Sequence, residues 1–323
     1  GSSGSSGSTF GIPTASSTVD LSPYPGARRA VSVATETALR TAIQNARPGD
    51  VISVSGSYSF SRQLWIEAKG TEANPIYIVA ANGRGSARLT MSGTDEGINI
   101  GNSAKHLVLD GLLFIHAGNN VVHVQGNASY ITLRNLILSD AGTDGDVIKI
   151  NQADHIVIEG CDLARPGRRA DATENAWQEV VDIVDADYVT IRRNWIHDFG
   201  NLGGYAKGGA EHTEIVDNLI DGQHVDAGDP AWGIGGWTDT VISHDAVYEA
   251  LNTNFQHNVI AHASYGALGV YDAQGSAVAS NLFLNNGGVI LQMRAGNGSD
   301  QTNDGVEWRG NRVVDTRGTM PNA

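Results

Sequence analysis

The chain has 323 residues, of which 41% are hydrophobic and 40 are glycine, and its formal net charge at pH 7 is −14. A chain of this length can bury one large core, and the glycine content favours a turn-rich β fold. The acidic balance argues against nucleic acid as a partner, and no apolar stretch is long enough to cross a membrane. The single cysteine, Cys161, excludes an internal disulfide framework and is expected to be a small buried residue.

The beginning of the chain divides into a tail and a cap. Residues 1–18 are rich in Ser and Gly, start like the remnant of a cloning tag, and are expected to be disordered. Apolar residues then recur at helical spacing, so we predict a capping helix within about 31–50 that begins at Thr35 or Thr37. The end of a solenoid exposes apolar surface, which such a cap would cover. We predict one domain over 19–323, because a chain of this length can be built around one elongated core.

From residue 107 onward the sequence repeats a short strand motif. Each copy alternates apolar and polar residues and carries Asn, Gly or Cys at one marker position. The copies are LVLDGLLF (107–114), ITLRNLIL (131–138), IVIEGCDL (156–163), VTIRRNWI (189–196), TEIVDNLI (213–220), NFQHNVIA (254–261), AVASNLFL (277–284) and VEWRGNRV (306–313). The markers lie about 24 residues apart or more, as expected for one solenoid coil with occasional insertions.

The alternation gives each strand one buried face of Ile, Leu and Val. One coil cannot bury that face alone and must stack on its neighbours, so we predict an all-β, parallel β-helix. Asn or Gly at the marker suits a left-handed bend, and stacked Asn side chains can hydrogen-bond along the ladder. A β-sandwich with Asn-rich turns is the alternative, but a sandwich does not keep a fixed coil length.

Two further segments resemble a known superfamily. RPGDVISVSGSY (47–58) and GTEANPIYIVAANG (70–83), together with the repeats, resemble the pectate-lyase-like right-handed parallel β-helices. The stretch GTEANPI (70–76) is similar to the opening of polysaccharide lyases of the alginate-lyase and chondroitinase-B type. The resemblance implies a secreted or periplasmic lyase that acts on a uronic-acid polysaccharide such as alginate, pectate or a glycosaminoglycan.

β-Elimination on a uronic acid needs a neutralised carboxylate, a base at the C5 proton and a proton donor for the leaving oxygen. In the lyases that this chain resembles, acidic groups ahead of a lysine hold calcium and the lysine is the base. The matching residues here are Glu179, Asp182 and Asp185 as Ca²⁺ ligands. The resemblance then makes Lys207 the base.

Counting back from the markers places Lys149 and Asp182 at the same position of successive coils. If the turn after Lys207 is one residue shorter, Lys207 joins them on the outer face, and Asp182 lies between two lysines about 4.8 Å away. Strict alignment instead points Lys207 into the core, where an unpaired charge is costly, so we predict the outward orientation. Asp146 and Glu179 form a second matched pair, and Lys149 is a candidate for substrate binding.

The proton donor is expected from a loop. Lyases of the alginate and chondroitinase-B type place an arginine about one coil after the lysine, whereas this sequence has no arginine between Arg193 and Arg294. The difference indicates a related but separate group of lyases. His244 and Tyr248 are the two candidates for the general acid.

Two long insertions, 164–178 and 221–250, are predicted to line the groove, because loops on a rigid scaffold commonly carry binding residues. Arginines suit carboxylates, and aromatic faces suit sugar rings. Gly208 and Gly209 would leave bare backbone for the close approach of a sugar. The other candidates for substrate binding are Arg165, Arg168, Arg169, Trp232, Trp237, Tyr271 and Arg294.

Other functions fit the same fold. An inverting glycoside hydrolase would use Asp146 with Asp182 or Glu179, at a separation of about 6.5–9.5 Å. A non-catalytic polysaccharide-binding or adhesion solenoid would bind without a product, and a C5-epimerase would share the proton abstraction. The remaining histidines, His123 among them, show no zinc spacing and are expected at the surface or in turns. We expect a monomer that acts on an acidic polysaccharide, without a nucleic-acid or membrane partner.

Overall fold

The computed structural model describes residues 19–93, 95–168, 178–224, 229–236, 238, 247–287, 289–294 and 303–314. In these residues the chain winds in coils, and the strands of each sheet come from successive coils and pair in parallel. The predicted parallel β-helix is confirmed. The predicted tail, 1–18, lies outside the described residues, and the single-domain boundary stays a prediction.

Three long sheets and one short sheet run along the axis of the described coils. The first sheet consists of Arg29–Val33, Asp50–Val54, Ile76–Ala80, Lys105–Asp110, Ser129–Arg134, Asp154–Glu159, Thr190–Arg192, Glu214–Val216, Asn254–Gln256, Ala277–Ala279 and Glu307–Arg309. The second sheet consists of Gly56–Phe60, Ala87–Met91, Leu113–Ile115, Ile137–Ser139, Asp162–Ala164, Trp195–Phe199, Leu219–Gln223, Val259–Ala261, Leu282–Leu284 and Arg312–Val314.

The third sheet is the one that positions the candidate site. Its strands are Leu64–Ile66, Ile98–Ile100, Val122–Gln125, Ile148–Asn151, Val181–Val184, Gly204–Lys207, Pro230–Ile234, Gly266–Tyr271 and Val289–Arg294. The short sheet consists of Ala210–Glu211, Ala250–Leu251 and Ala273–Gln274.

The core lies inside the coils and is built by the predicted alternation. Ile131 pairs with Leu107 on the preceding coil and with Ile156 on the following one, and all three side chains are fully buried. Cys161 is buried as well, as expected. The same inward position on these coils therefore holds an apolar side chain packed against those of the neighbouring coils.

A helix, Glu36–Gln44, lies close to the first strands. Thr35 is its N-cap, and the Thr35 side chain accepts a hydrogen bond from the backbone N–H of Ala38 at 3.2 Å. Leu39 and Ile43 are buried within the solenoid core. The predicted helix is present and begins at the first of the two candidate caps, while its role as a lid stays a prediction. Among the described residues, no helix is long and apolar enough to span a bilayer.

The left-handed bend falls at the predicted marker only in the first two copies. Gly111 and Asn135 have positive φ angles of 72° and 53°. On the later coils the bend lies one residue earlier, at Gly160, Arg193, Asp217, His257, Ser280 and Gly310. The later markers, from Cys161 onward, therefore point inward, and the expectation of a left-handed backbone at those positions was wrong.

The inward markers form an asparagine ladder, which confirms the predicted hydrogen bonding between stacked Asn side chains. The Asn218 side-chain amide donates to Oδ1 of Asn258 at 3.0 Å, and the Asn218 backbone N–H donates to the same oxygen at 2.9 Å. Asn194, Asn258 and Asn281 repeat this pattern toward the next coil. Each amide thus satisfies buried backbone groups at a bend that no regular strand pairing covers.

A second ladder, of aromatic rings, lies at the beginning of five successive strands of the first sheet or just before them. Its rings are stacked with centroids 4.4–4.9 Å apart. The rings belong to His106, Tyr130, His155, Tyr188 and His212, all with positive φ. Three histidines, His106, His155 and His212, are therefore partners in one stack, which their spacing in the sequence did not predict.

Replacement of Asn258 by Ala is expected to destabilise the fold. It leaves the Asn218 backbone N–H and side-chain amide without their acceptor, and the Ile215 carbonyl without its donor. Buried groups left unsatisfied cost about 1–3 kcal/mol each, so we expect a loss of roughly 3 kcal/mol or more. Urea unfolding followed by circular dichroism measures it, with Asn102→Ala, at an exposed position, as the control. Equal midpoints for the two variants would contradict the structural role of the ladder.

Candidate active site

The outer face of the third sheet carries one continuous row of side chains, which we call the groove row. Its members are register partners on successive coils. In chain order they are Trp65, Asn99, His123, Lys149, Asp182, Tyr205, Gly233, Gly269 and Gln292. The predicted alignment of Lys149 with Asp182 is confirmed.

Three buried carboxylates converge at the centre of the groove row, and we call them the acidic cluster. Asp146, Glu179 and Asp182 each offer an oxygen within 4.8 Å of the others. Asp146 and Glu179 lie on neighbouring coils, as predicted, and Oδ1 of Asp146 accepts a hydrogen bond from the Glu179 backbone N–H at 2.9 Å. Lys149 Nζ lies 3.1 Å from Asp146 Oδ2 and also donates to Asp182 Oδ2.

Lys207 reaches the acidic cluster from a different position than predicted. Its backbone pairs with Val184, two residues beyond Asp182, and Tyr205 takes the predicted place next to Asp182. The side chain nevertheless points outward and runs back over the Tyr205 ring, with Nζ 4.1 Å from the ring centroid and 3.3 Å from Asp182 Oδ1. The predicted stack of backbone positions was wrong, whereas Asp182 does lie between two lysines.

The turn after Lys207 is fixed by a carboxylate. Glu249 accepts hydrogen bonds from the Gly208 backbone N–H at 2.8 Å and from the Thr238 hydroxyl at 2.7 Å. A Cβ at Gly208 would lie 3.0 Å from Val184, so this position is packed and does not leave bare backbone for a sugar. The expected role of Gly208 was therefore wrong, and its φ of +68° is the reason for glycine here.

Burial and charge set the protonation of the acidic cluster. Burial raises the pKa of the Asp146 carboxyl well above its ordinary value; Lys149 opposes this rise and Glu179 adds to it. Burial also opposes ionisation of Asp182, but Lys207 and Lys149 outweigh it and lower the pKa of Asp182. Asp182 is therefore the anion that the two lysines share, and Asp146 is the carboxyl that more readily holds a proton.

Tyr205 keeps its proton under ordinary conditions. Burial raises the pKa of its hydroxyl well above the ordinary value, and the negative charges of Glu179 and Asp182 act in the same direction. A phenol of this kind is a proton donor and a poor base. Sequence analysis missed Tyr205, because the count from the marker assigned its place to Lys207.

His123 lies in the groove row, next to Lys149 on the adjoining strand, so its assignment to the surface or a turn was wrong. Its Nδ1 lies 2.6 Å from Glu96 Oε1. Burial opposes ionisation of Glu96, but contacts with His123, Asn120 and Asn99 outweigh it and lower the pKa of Glu96. An ionised carboxylate only accepts hydrogen bonds, so His123 donates from Nδ1.

Several predicted site residues lie elsewhere. Trp232 is fully buried, because alternation on the strand Pro230–Ile234 points Gly233 outward and Trp232 into the core. It cannot stack on a sugar, and that expectation was wrong. Asp185 follows its strand in a left-handed turn and accepts a hydrogen bond from Gln152 at 3.2 Å. Asp185 is therefore not in the acidic cluster, where Asp146 is the third carboxylate.

The predicted basic loop is partly engaged with acidic neighbours. Arg165 makes a two-pronged contact with Asp140, at 2.6 and 2.9 Å, beside a cavity of about 680 Å³ that Arg168 also lines. This contact leaves the Arg165 guanidinium less suited to binding a substrate carboxylate.

Of the remaining candidates, Tyr271 and Tyr248 have side chains within the described residues and the others do not. The Tyr271 ring packs against Gly269 of the groove row, and its hydroxyl donates to Gln292 at 2.6 Å. Tyr248 makes no contact with Lys207 within the described part of the chain. Arg169, Trp237 and His244 lie outside the described residues, as does the side chain of Arg294.

The acidic cluster has the donor chemistry for a hard cation. Carboxylate oxygens are the ligands that Ca²⁺ prefers, and the buried Asp182 Oδ1 has the Lys207 ammonium 3.3 Å away as its neighbour. Lys149 contacts two of the three carboxylates. A metal ion would therefore compete with the Lys149 ammonium for Asp146 and Asp182.

No protein-family model matches the sequence, and no curated protein matches it. The fold is similar to that of a pectate lyase, Pel9A, with a TM-score of 0.60 and 14% identity over 87% of this chain and 82% of the other. It is similar to the PL6 family alginate lyase AlyGC, with a TM-score of 0.55 and 16% identity over 88% of this chain and 38% of the other. The enzymatically active domain of tailspike protein 2 of bacteriophage CBA120 gives a TM-score of 0.60 and 10% identity over 86% and 40%. At these identities the likenesses show the parallel β-helix fold alone.

Replacement of Asp182 by Asn is expected to destabilise the protein at neutral pH. The change removes the anion that Lys149 and Lys207 share, and breaking a buried ion pair costs about 3–5 kcal/mol. Because the folded-state pKa of Asp182 is lowered, its stabilisation is present above the unfolded pKa and is lost as the pH falls through the lowered value. The deficit should therefore shrink in acid, which urea unfolding at neutral and acidic pH measures.

Asp146→Asn is the matched control for that experiment. Burial already raises the pKa of Asp146, so a neutral amide resembles the protonated carboxyl, and a smaller loss is expected. Equal losses in the two variants, or a deficit of Asp182→Asn that does not change with pH, would contradict this description of the charges.

Proposed function

We propose that the protein is a polysaccharide lyase that cleaves an acidic, uronic-acid-containing polysaccharide by β-elimination. The observation that supports this most directly is the pair formed by Lys207 and Tyr205. The Lys207 amine lies over the ring of a tyrosine that keeps its proton, on the outer face of the third sheet. A base and an acid thus lie next to each other, as elimination requires.

The proposed reaction uses three groups of this chain. Lys149 exchanges its contact with Asp146 or Asp182 for the substrate carboxylate and offsets its charge, which makes the C5 proton more acidic. Lys207 first gives up its ammonium proton to solvent and then takes the C5 proton, and the electron pair of the C5–H bond forms the C4–C5 double bond. The bond from C4 to the glycosidic oxygen breaks, and the Tyr205 hydroxyl gives a proton to that oxygen. The products are a new non-reducing end with a double bond and a shortened chain.

The spacing of the carboxylates does not favour an inverting hydrolase. Such enzymes hold two carboxyl groups about 6.5–9.5 Å apart so that a water molecule fits between them. In the acidic cluster the nearest oxygens lie within 4.8 Å, and Lys149 contacts two of the three residues. Neither Asp146 with Asp182 nor Asp146 with Glu179 therefore has the separation that this chemistry needs.

We also propose that the acidic cluster holds Ca²⁺, through Asp146, Glu179 and Asp182 in place of the set first expected. When bound, the ion would add to the neutralisation of the substrate carboxylate. Long polysaccharides do not enter cells intact, so we also propose that the protein acts outside the cytoplasm.

Replacement of Lys207 is the test of the base. Lys207→Ala should lower the elimination rate by about 10²–10⁴-fold, the usual contribution of a general base. Lys207→Arg should be as slow, because arginine retains its proton and cannot act as a base, although it keeps the charge beside Asp182. The ultraviolet absorbance of the unsaturated product is followed on alginate, pectate, glucuronan and chondroitin.

Lys105→Ala is the control, because Lys105 lies on the first sheet, over the ring of Tyr130, away from the groove row. Wild-type activity in Lys207→Arg would assign Lys207 a purely electrostatic role. Activity in Lys207→Ala would exclude it from the reaction, and new reducing ends without unsaturation would replace the lyase with a hydrolase.

Calcium binding is expected to stabilise the folded protein. An ion that binds only the folded state stabilises it by mass action. At an ion concentration one hundred times Kd the free energy of unfolding rises by about 2.7 kcal/mol, and the unfolding midpoint rises with it. Differential scanning calorimetry with added CaCl₂ or excess chelator measures the shift, which Glu179→Gln should abolish. An unchanged midpoint across that range would remove calcium from the proposal while leaving Lys207 untouched.

A further inference from the structure

The groove row begins with an exposed tryptophan that the reaction does not use. Trp65 pairs with Asn99 at the N-terminal end of the row and is 38% exposed. A Cβ at Gly101 would lie 2.4 Å from the Trp65 ring, so the indole rests on bare backbone of the next coil. The ring is therefore held in place by its scaffold while part of its surface stays open.

A cavity of about 750 Å³ lies next to Trp65, against the helix Glu36–Gln44. Its polar lining includes Arg40, Arg62, Glu67 and Lys69. Volumes of this size are typical of sites for small ligands.

Two of the three cations in this cavity are available to a ligand. Arg40 is engaged, because it contacts Glu36 at 2.8 Å and donates to the backbone carbonyls of Arg62 and Gln63. Arg62 and Lys69 are exposed, and neither has an acidic partner in the described part of the chain. In a protein with a net charge of −14, two free cations beside an open aromatic ring form a local site for an anion.

We propose that this cavity is a distal subsite for the polysaccharide, in which Trp65 stacks on one sugar and Arg62 or Lys69 pairs with its carboxylate. The inference rests on the proposed function, because it takes the ligand to be a chain of acidic sugars. Aromatic faces bind the apolar face of a sugar ring, and a free cation distinguishes a uronate from a neutral sugar.

The position of the subsite predicts a dependence on chain length. Four register steps separate Trp65 from Asp182, and strands lie about 4.8 Å apart, so the distance along the groove is roughly 19 Å. A disaccharide at the acidic cluster cannot reach Trp65, whereas a longer oligomer contacts both. The subsite therefore adds affinity for long chains and does not take part in the reaction.

The test is isothermal titration calorimetry of wild type and Trp65→Ala with uronate disaccharides and with oligomers that span the groove. The oligomers come from the same four polymers, and a neutral cellulose oligomer serves as the ligand control. For the long uronate oligomer we expect Trp65→Ala to bind about tenfold more weakly, with a higher KM and an unchanged kcat. Disaccharide affinity should not change. Trp195→Ala is the matched control, because Trp195 is 45% exposed on the second sheet.

Charge variants test the same subsite without removing the ring. Lys69→Glu and Arg62→Glu, both at exposed positions, should weaken long uronate oligomers and leave the neutral oligomer unaffected. They also keep the proposal testable if Trp65→Ala fails to fold.

The outcomes separate the subsite from the proposed reaction. If wild type eliminates and Trp65→Ala binds long oligomers like wild type, the subsite is overturned and the lyase stands. If no polymer is cleaved but long-chain binding depends on Trp65, the lyase is overturned and the subsite stands. If wild type binds none of the uronate oligomers, both are overturned.

Discussion

The in-register parallel pairing of successive coils determines everything else in this molecule. It places equivalent side chains on neighbouring coils about 4.8 Å apart. Each outward position therefore becomes a row in which every charged residue interacts electrostatically with the residues before and after it. On the first sheet the row runs Asp110, Arg134, Glu159, Arg192, and its signs alternate. Its ion pairs measure 2.8 Å for Arg134 with Asp110 and 2.6 Å for Arg192 with Glu159. Like charges in such a row would repel, so the alternation of charge in this row favours the stacking of its coils.

Alternation of Lys149 and Asp182 is therefore not by itself a sign of function. What distinguishes the groove row is that three groups from outside the row converge on it. Asp146 and Glu179 come from the segments that precede their strands, and Lys207 comes from two residues further along its own strand. The pairs also differ in burial. The Asp182 side chain is 2% exposed, whereas Glu159 and Arg192 on the first sheet are 21% and 42% exposed. Concentrating two lysines and three carboxylates out of water costs free energy that a purely structural row avoids.

The sequence predicted the features that depend on periodicity and failed where a side chain departs from it. The strand alternation, the β-helix and the register of Lys149 with Asp182 all follow from equal spacing, and the structure has them. The position of Lys207 did not follow, because the groove-row residue of its coil, Tyr205, lies 13 residues before its marker instead of 12 as for Asp182, whereas the prediction assumed one residue fewer. Trp232 was assigned to a loop because its coil has a long insertion. It lies instead on a strand, where the alternation of side chains points it into the core.

Residues that depend on contacts across distant coils were missed for a related reason. Trp65 comes before the first recognisable repeat, so no marker fixes its register. Tyr205 and His123 belong to no motif in the sequence, and only the stacking of the coils shows that they lie in the groove row.

The groove row is asymmetric along the solenoid, and this asymmetry bears on how a chain would bind. From Trp65 to Tyr205 every position carries a side chain that can stack, donate or accept, whereas the next two positions are Gly233 and Gly269. The Tyr271 ring packs against Gly269. A polymer bound along this face would therefore make most of its polar and aromatic contacts with the coils that precede Lys207. In the proposed reaction, the bond that breaks would lie near one end of the bound segment, and the sugars on the side toward Trp65 would supply most of the binding energy.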